Sequence, residues 1–230
     1  MRDYRNYHVD NKSFYSNKNT LNWVEKYIKK QPQTILEFGS YDGGDGVFYK
    51  KEYPKAKVYS IEACPERYKV IKQLVAPYGI EVFNYAVYDY DGFIDFYPVK
   101  DPNVRDHDDL YGSSGSINKR TEKYKAQFNH IKEQPPVKVP CIRLDSFCSQ
   151  ENITQIDYMH VDVEGAEHKV IEGLGTLRPS CMSLELHLGK DYYGETAYDV
   201  NELKNHLKTL GYAECGHNGV DIYFVLSQLV

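Results

Sequence analysis

Residues 34–53 read TILEFGSYDGGDGVFYKKEY. The first five form a β-prone run, glycines stand at 39, 43, 44 and 46, and residues 47–53 continue as a helix that Pro54 stops. The reading is strand, glycine turn, helix. It repeats downstream: residues 57–62 (KVYSIE) make a second strand, Pro65 sits in the first turn of a helix over 66–75 with Val70, Ile71 and Leu74 on one face, and Gly79 precedes a third strand over 80–86. Upstream, Leu21, Val24, Tyr27 and Ile28 recur at helical spacing, with Thr20 to cap the helix and Pro32 to end it, so residues 1–33 form a helical extension.

Further along, DYDG at 89–92 is a turn signal before a β-prone run at 93–97. Residues 98–136 are long, polar and aperiodic, which predicts a lid or substrate-contacting insertion with partial helix around 119–130. Residues 137–142 alternate like an edge strand, with Pro140 arguing against a central position. Residues 156–162 (IDYMHVD) make a better central strand, followed by a helix over 166–172 that Gly173 ends. A strand at 181–187 (CMSLELH), a helix at 199–210 and strands flanking Asn218-Gly219 complete the chain. Strands alternating with helices predict βαβ units and a parallel sheet, hence an α/β fold in a single domain over 1–230 with an antiparallel hairpin at the end.

Composition excludes several classes. The longest apolar run, residues 222–226, falls far short of the ~20 residues of a membrane-spanning helix. The first twenty residues are polar and aromatic, without the features of a secretory signal, so a cytoplasmic protein is expected. Five cysteines without a CxxC pair argue against a disulfide framework or a zinc knuckle. With 28 Lys+Arg against 33 Asp+Glu, and no basic stripe, a nucleic-acid partner is not indicated.

In an open parallel sheet, ligands bind beyond the carboxyl ends of the strands. The first such end, Glu37 to Gly46, is neither GxGxxG nor GxxxxGK[ST], and a pyrophosphate there would be repelled by Asp42 and Asp45. The loop favours a cationic ligand instead. Glu62, at the end of the second strand and about 20 residues beyond the turn, occupies the position where an acid accepts hydrogen bonds from both ribose hydroxyls. Glycine turn plus strand-end acid suggests an adenosine cofactor without a diphosphate. The strand at 156–162 ends in Asp162-Val163-Glu164-Gly165-Ala166-Glu167, and the next carries Glu185 and ends at His187. Helix-dipole complementation explains Glu167 but not Asp162.

The segment DYMHVDVEGAE at 157–167, together with IRLDSF at 142–147, resembles the FkbM-type methyltransferases over residues 34–224. His160 stands where that family usually has Lys, and Ala63 replaces a common proline. The glycine loop and VYSIE at 58–62 are similar to the family's first and second strand ends, and GSSGS at 112–116 to a small-residue segment of its insertion. The resemblance implies a Rossmann-like class I fold with a seven-stranded, mostly parallel sheet, and S-adenosyl-L-methionine as cofactor. Its cationic sulfonium suits an acidic pocket. Glu37, Gly39, Ser40, Tyr41 and Gly43 are the expected contacts from the first turn, Glu62 and Ala63 from the second, and Ala86 and Val87 from the third, near adenine. Ser114 is expected from the insertion and Asp162 by the methionyl end.

The implied reaction is O-methylation of a hydroxyl on a small molecule or glycan, with a sugar-like acceptor. Transfer is an in-line displacement that depends on positioning, and a weakly acidic hydroxyl needs a base. Asp162 and His187 are the catalytic candidates, although a histidine at a strand end also serves as a packing or capping residue. His160 reads as a satisfied core histidine. Asp162, Glu185 and His187 are metal-ligand types, but no spaced motif such as HExxH accompanies them, and no metal is assigned. Of the 22 tyrosines, Tyr85, Tyr88, Tyr90, Tyr97 and Tyr111 border the expected site and offer rings for stacking on a sugar. The rival readings are a methyltransferase acting on protein or nucleic acid, a non-catalytic cofactor-binding scaffold, and a dehydrogenase. The first lacks a (D/N)PP(Y/F) motif, the second leaves the acids around Asp162 unexplained, and the third lacks GxGxxG. Nothing in the sequence bears on oligomeric state.

Overall fold

The computed structural model describes residues 18–100, 112–186 and 189–230. Its main sheet is built from β1 (Thr34–Phe38), β2 (Lys57–Ile61) and β3 (Glu81–Phe83), and later strands join it on the other side of β1. Helix α1 (Lys18–Ile28) precedes β1, α2 (Gly44–Glu52) links β1 to β2, and α3 (Pro65–Val75) links β2 to β3. Pro65 opens α3 where its missing N–H costs nothing.

The expected third strand at 80–86 is interrupted. Asn84 turns its side-chain amide onto the carbonyls of Glu62 (2.8 Å) and Ala63 (3.0 Å), and the chain leaves the main sheet. It continues as β4 (Ala86–Tyr88) and β5 (Gly92–Phe96), then β6 (Val99–Lys100), α4 (Glu122–Gln127), β7 (Lys132–Glu133) and β8 (Val137–Arg143). β8 is the centre of a three-stranded sheet between β4 and β5, not an edge. Pro140 is tolerated because β4 pairs only from Cys141 onward, so at Pro140 the strand has a neighbour on one side alone.

Helix α5 (Leu144–Gln150), which the sequence reading leaves out, follows directly, with Arg143 clamped on Asp145 through two bonds of 2.9 and 2.8 Å. Next come β9 (Tyr158–Val161), α6 (Glu167–Glu172), β10 (Cys181–Glu185), α7 (Lys190–Tyr193), α8 (Val200–Thr209), β11 (Tyr212–Asn218) and β12 (Asp221–Leu226). The seven-stranded order is β11-β12-β10-β9-β1-β2-β3, with β12 alone running against the rest.

Apolar residues cover both faces of this sheet. Leu36, Phe38, Met159, Val161 and Leu184 pack on one face; Ile35, Val58, Tyr158 and Val225 pack on the other, beneath α1 and α2. Asp157 pins the central pair. Its buried carboxylate accepts the backbone N–H groups of Gln33 (2.7 Å) and Thr34 (3.2 Å) and pairs with Lys30 (2.9 Å). Parallel strands so arranged leave the carboxyl ends of β1, β2 and β9 side by side, where a site forms.

Candidate active site

The turn after β1 is left-handed at three points, Gly39 (φ 84°), Tyr41 (φ 46°) and Gly43 (φ 80°). Gly39 is required: a Cβ there would lie 1.7 Å from the carbonyl oxygen of Asp162 on the adjacent strand. That close approach brings the first turn and the 162–167 turn into one cleft. Gly39, Tyr41, Glu62 and Ala63 line it after β1 and β2, Ala86 and Val87 line it from β4, and Asp162 and Glu164, after β9 on the other side of β1, form the far wall.

Four of the expected contacts do not themselves line the cleft. Glu37 is buried beneath the loop and accepts the Ser60 hydroxyl. Ser40 is buried, and Gly43 packs against Val75. Ser114 is hydrogen-bonded to Glu164 of the wall, and its neighbours Ser113 and Gly115 line the cleft. His187 and Tyr111 lie outside the described residues. Of the other four tyrosines expected to border the site, Tyr85 lines the cleft, and Tyr88, Tyr90 and Tyr97 do not.

The acidity of the cleft does not come from the glycine loop. Asp42 accepts the N–H of Gly44 at 2.7 Å and Asp45 turns inward toward His160, so neither lines the wall. It comes from Glu62, Asp162 and Glu164. Glu62 accepts the N–H of Tyr41 on Oε2 (3.0 Å) and of Cys64 on Oε1 (2.7 Å). Burial raises its carboxyl above the ordinary range, while those two bonds and the Arg67 guanidinium act in the opposite sense. Arg67 also lies 4.3 Å over the Tyr41 ring, and sequence reasoning missed it: on a helix pattern it is one more polar residue, with nothing to signal its burial.

At the far wall, carboxyl oxygens of Asp162, Glu164 and Glu185 all lie within 4.8 Å of one another. Carboxyls this close cannot all ionise. Burial, then the neighbouring Glu185, holds Asp162 well above the usual range, and the two are hydrogen-bonded. Burial and Glu164 push Glu185 up to about 8. Burial raises Glu164 too, against the hydrogen bond that Tyr193 donates to its Oε2.

Distant segments fix this turn. Glu164 is itself left-handed (φ 54°), Ser116 Oγ donates to its carbonyl at 2.6 Å, and Asn118 Nδ2 donates to that of Gly165 at 2.9 Å. A Cβ on Gly165 would strike the Tyr193 ring at 2.4 Å. Glu167 Oε1 accepts the N–H groups of Val163 and Gly165, so this acid ties down the preceding turn, where the sequence reading has it complementing the helix N-terminus.

The cleft fits S-adenosylmethionine on its own chemistry. Ala86, Val87 and Phe96 offer apolar surface for a base, Glu62 keeps acceptor capacity on both oxygens, and the carboxyls of Asp162 and Glu164 face the same space. The strand order and the cleft define a class I, Rossmann-like methyltransferase fold. Residues 37–217 match the methyltransferase FkbM domain model, and the chain belongs to that family. It is 30% identical over 151 residues to the 2-O-methyltransferase NoeI of Sinorhizobium fredii (strain NBRC 101917 / NGR234), a match covering 65% of this chain and 60% of that relative. The chain thus spans about three-fifths of the curated relative it matches. Among solved structures, it is similar to an O-methyltransferase from Bacillus cereus in complex with SAH (11% identity, TM-score 0.47, covering 95% of this chain and 85% of that one). It is also similar to the plantazolicin methyltransferase BpumL in complex with SAH (14% identity, TM-score 0.46, 94% and 72%).

Proposed function

We propose that this protein transfers a methyl group from S-adenosylmethionine to a hydroxyl of a small molecule or glycan, with a sugar-like acceptor. The observation that carries this reading is that Glu62, Asp162 and Glu164 line one cleft, with Glu185 close beside the latter two. The donor supplies an electrophilic methyl carbon. Glu62 holds the ribose, Ala86 and Val87 flank the adenine, and Asp162 and Glu164 face the sulfonium end. The hydrogen-bonded Asp162–Glu185 pair, once it has lost a proton, accepts the acceptor's hydroxyl proton. The segment at 112–136, which buttresses the 162–167 turn through Ser116 and Asn118, forms the acceptor side of a single domain. Among the described residues no helix is long and apolar enough to cross a membrane, and all five cysteines are unpaired, which suits the cytoplasm.

The test is calorimetric titration with S-adenosylmethionine and S-adenosylhomocysteine beside NAD, then a methyl-transfer assay over sugar and other hydroxyl acceptors. Micromolar binding of the first two and not of NAD is expected. A folded protein that binds neither would favour a scaffold role.

A further inference from the structure

The glycine loop rests on α3. Arg67, Ile71 and Val75 recur every four residues along that helix as one buried stripe. A Cβ on Gly43 would lie 2.6 Å from Val75 and 3.1 Å from Ile71, so the loop lies directly against the stripe. Two of its members are apolar, and the third is a guanidinium only 3% exposed. Stability alone does not favour that choice. A buried cation loses its hydration, and in the first turn of a helix it faces the positive end of the macrodipole.

The partners of Arg67 lie in the cleft. Its guanidinium carbon stands 4.3 Å over the Tyr41 ring. Tyr41 keeps a left-handed φ of 46°, a conformation that persists only where the surroundings impose it. Its N–H donates to Glu62 Oε2 at 3.0 Å, and the N–H of Cys64, just before α3, donates to Oε1 at 2.7 Å. The Arg67 charge also acts on Glu62, against the effect of burial. Tyr41, Glu62 and Arg67 thus close a ring of interactions drawn from the β1–α2 loop, the end of β2 and the start of α3, and all three line the cleft.

We propose that Arg67 is a positioning residue that makes the cleft selective for a ribose carrying both hydroxyls: it anchors Tyr41 through its ring and Glu62 through its charge, and so aims both carboxylate oxygens at adjacent donors. The inference rests on the reading of the cleft as the S-adenosylmethionine site with Glu62 at the ribose. Without the guanidinium, Glu62 keeps its two N–H donors, but one of them belongs to a left-handed residue that has lost its clamp. The ligand still binds; its sugar is no longer read.

The test is calorimetric titration of the full chain with S-adenosylhomocysteine and its 2′-deoxy and 3′-deoxy analogues, for wild type, Arg67→Met, Tyr41→Leu and the double variant, with near-ultraviolet circular dichroism to check the fold. Wild type is expected to bind each deoxy analogue about 10- to 150-fold more weakly than the parent, the size of one hydrogen bond to a charged acceptor. In each single variant that ratio should shrink about fivefold or more, and the double variant should shrink it no further, because the two residues act as one unit. Equal weakening of all three ligands, with the ratio within about twofold of wild type, overturns the proposal and leaves Arg67 a packing role only. The single variants approach the stack from its two sides, so either one decides if the other does not fold. A wild-type ratio near one overturns the proposal together with the ribose assignment of Glu62, with no variant needed. Absence of binding of all three ligands to folded wild type overturns the cofactor-site reading itself.

Discussion

Glu62→Gln separates the ribose assignment from the general need for a folded loop. Each Glu62 oxygen already accepts one backbone N–H, from Cys64 at 2.7 Å and Tyr41 at 3.0 Å. A carboxylate oxygen accepts two bonds, so one acceptor site per oxygen remains, two in all, for two adjacent ribose hydroxyls. Gln keeps the shape but replaces one oxygen with an NH2 that accepts nothing. One ribose hydroxyl then loses a bond to a charged group, worth about 1.5–3 kcal/mol, and affinity should fall about 10- to 150-fold. The same NH2 also meets a backbone N–H in free and bound protein alike, so this clash costs about 1–3 kcal/mol of stability without touching affinity. Calorimetry with S-adenosylhomocysteine measures the first effect and urea unfolding the second. Affinity within about threefold of wild type, in a variant destabilised as expected, would refute the ribose role.

Asp162→Asn should lower turnover by about 10²–10⁴ while leaving S-adenosylhomocysteine affinity within a few-fold, and full turnover in a methyl-transfer assay would remove Asp162 from the proton-accepting pair. Glu185 titrates near 8 in the folded protein against an ordinary 4.5, so the folded state holds the extra proton between those values and its contribution to stability is lost as pH rises through that window. Thermal unfolding of Glu185→Gln should accordingly gain on wild type from pH ~5 to ~8; a gap that is constant or moves the other way contradicts the assignment. Gly39→Ala must put a Cβ against the Asp162 carbonyl at a left-handed φ, which adds about 1–2 kcal/mol of backbone strain to about 1–3 kcal/mol of overpacking. A loss under ~1 kcal/mol in urea unfolding would mean that the two turns are not tightly apposed.

Elements with a local cause were legible in the sequence. Pro65, Gly173 and the Asn218-Gly219 turn act through their own backbone, and the helices and hairpin they announce are present. Elements with a tertiary cause were not. Asn84 leaves the sheet for the carbonyls of residues 62 and 63, and Pro140 sits centrally because of where another strand begins. Neither partner lies nearby in sequence. The site divides the same way. Gly39, Glu62 and Asp162 follow from strand-end logic, whereas Arg67, Glu164 and the inward turn of Asp45 depend on packing between elements. Asp42 and Asp45 show the limit of counting loop charges: one caps a turn, the other faces the sheet.

The pairing of β1 with β9 has a consequence for how the chain assembles. Asp157 reaches Gln33 across 124 residues, so the middle of the sheet is a seam between an early half, β1 to β3, and a late half that includes β9, β10 and β12. During synthesis the first half exists for some time with one side of β1 unpaired, a non-local closure of the kind that slows folding and exposes strand edges. The cleft lies across that seam, with Gly39 and Glu62 on the early side and Asp162 on the late side. A ligand bound there would tie the two halves together and stabilise only the joined state, a late staple on assembly.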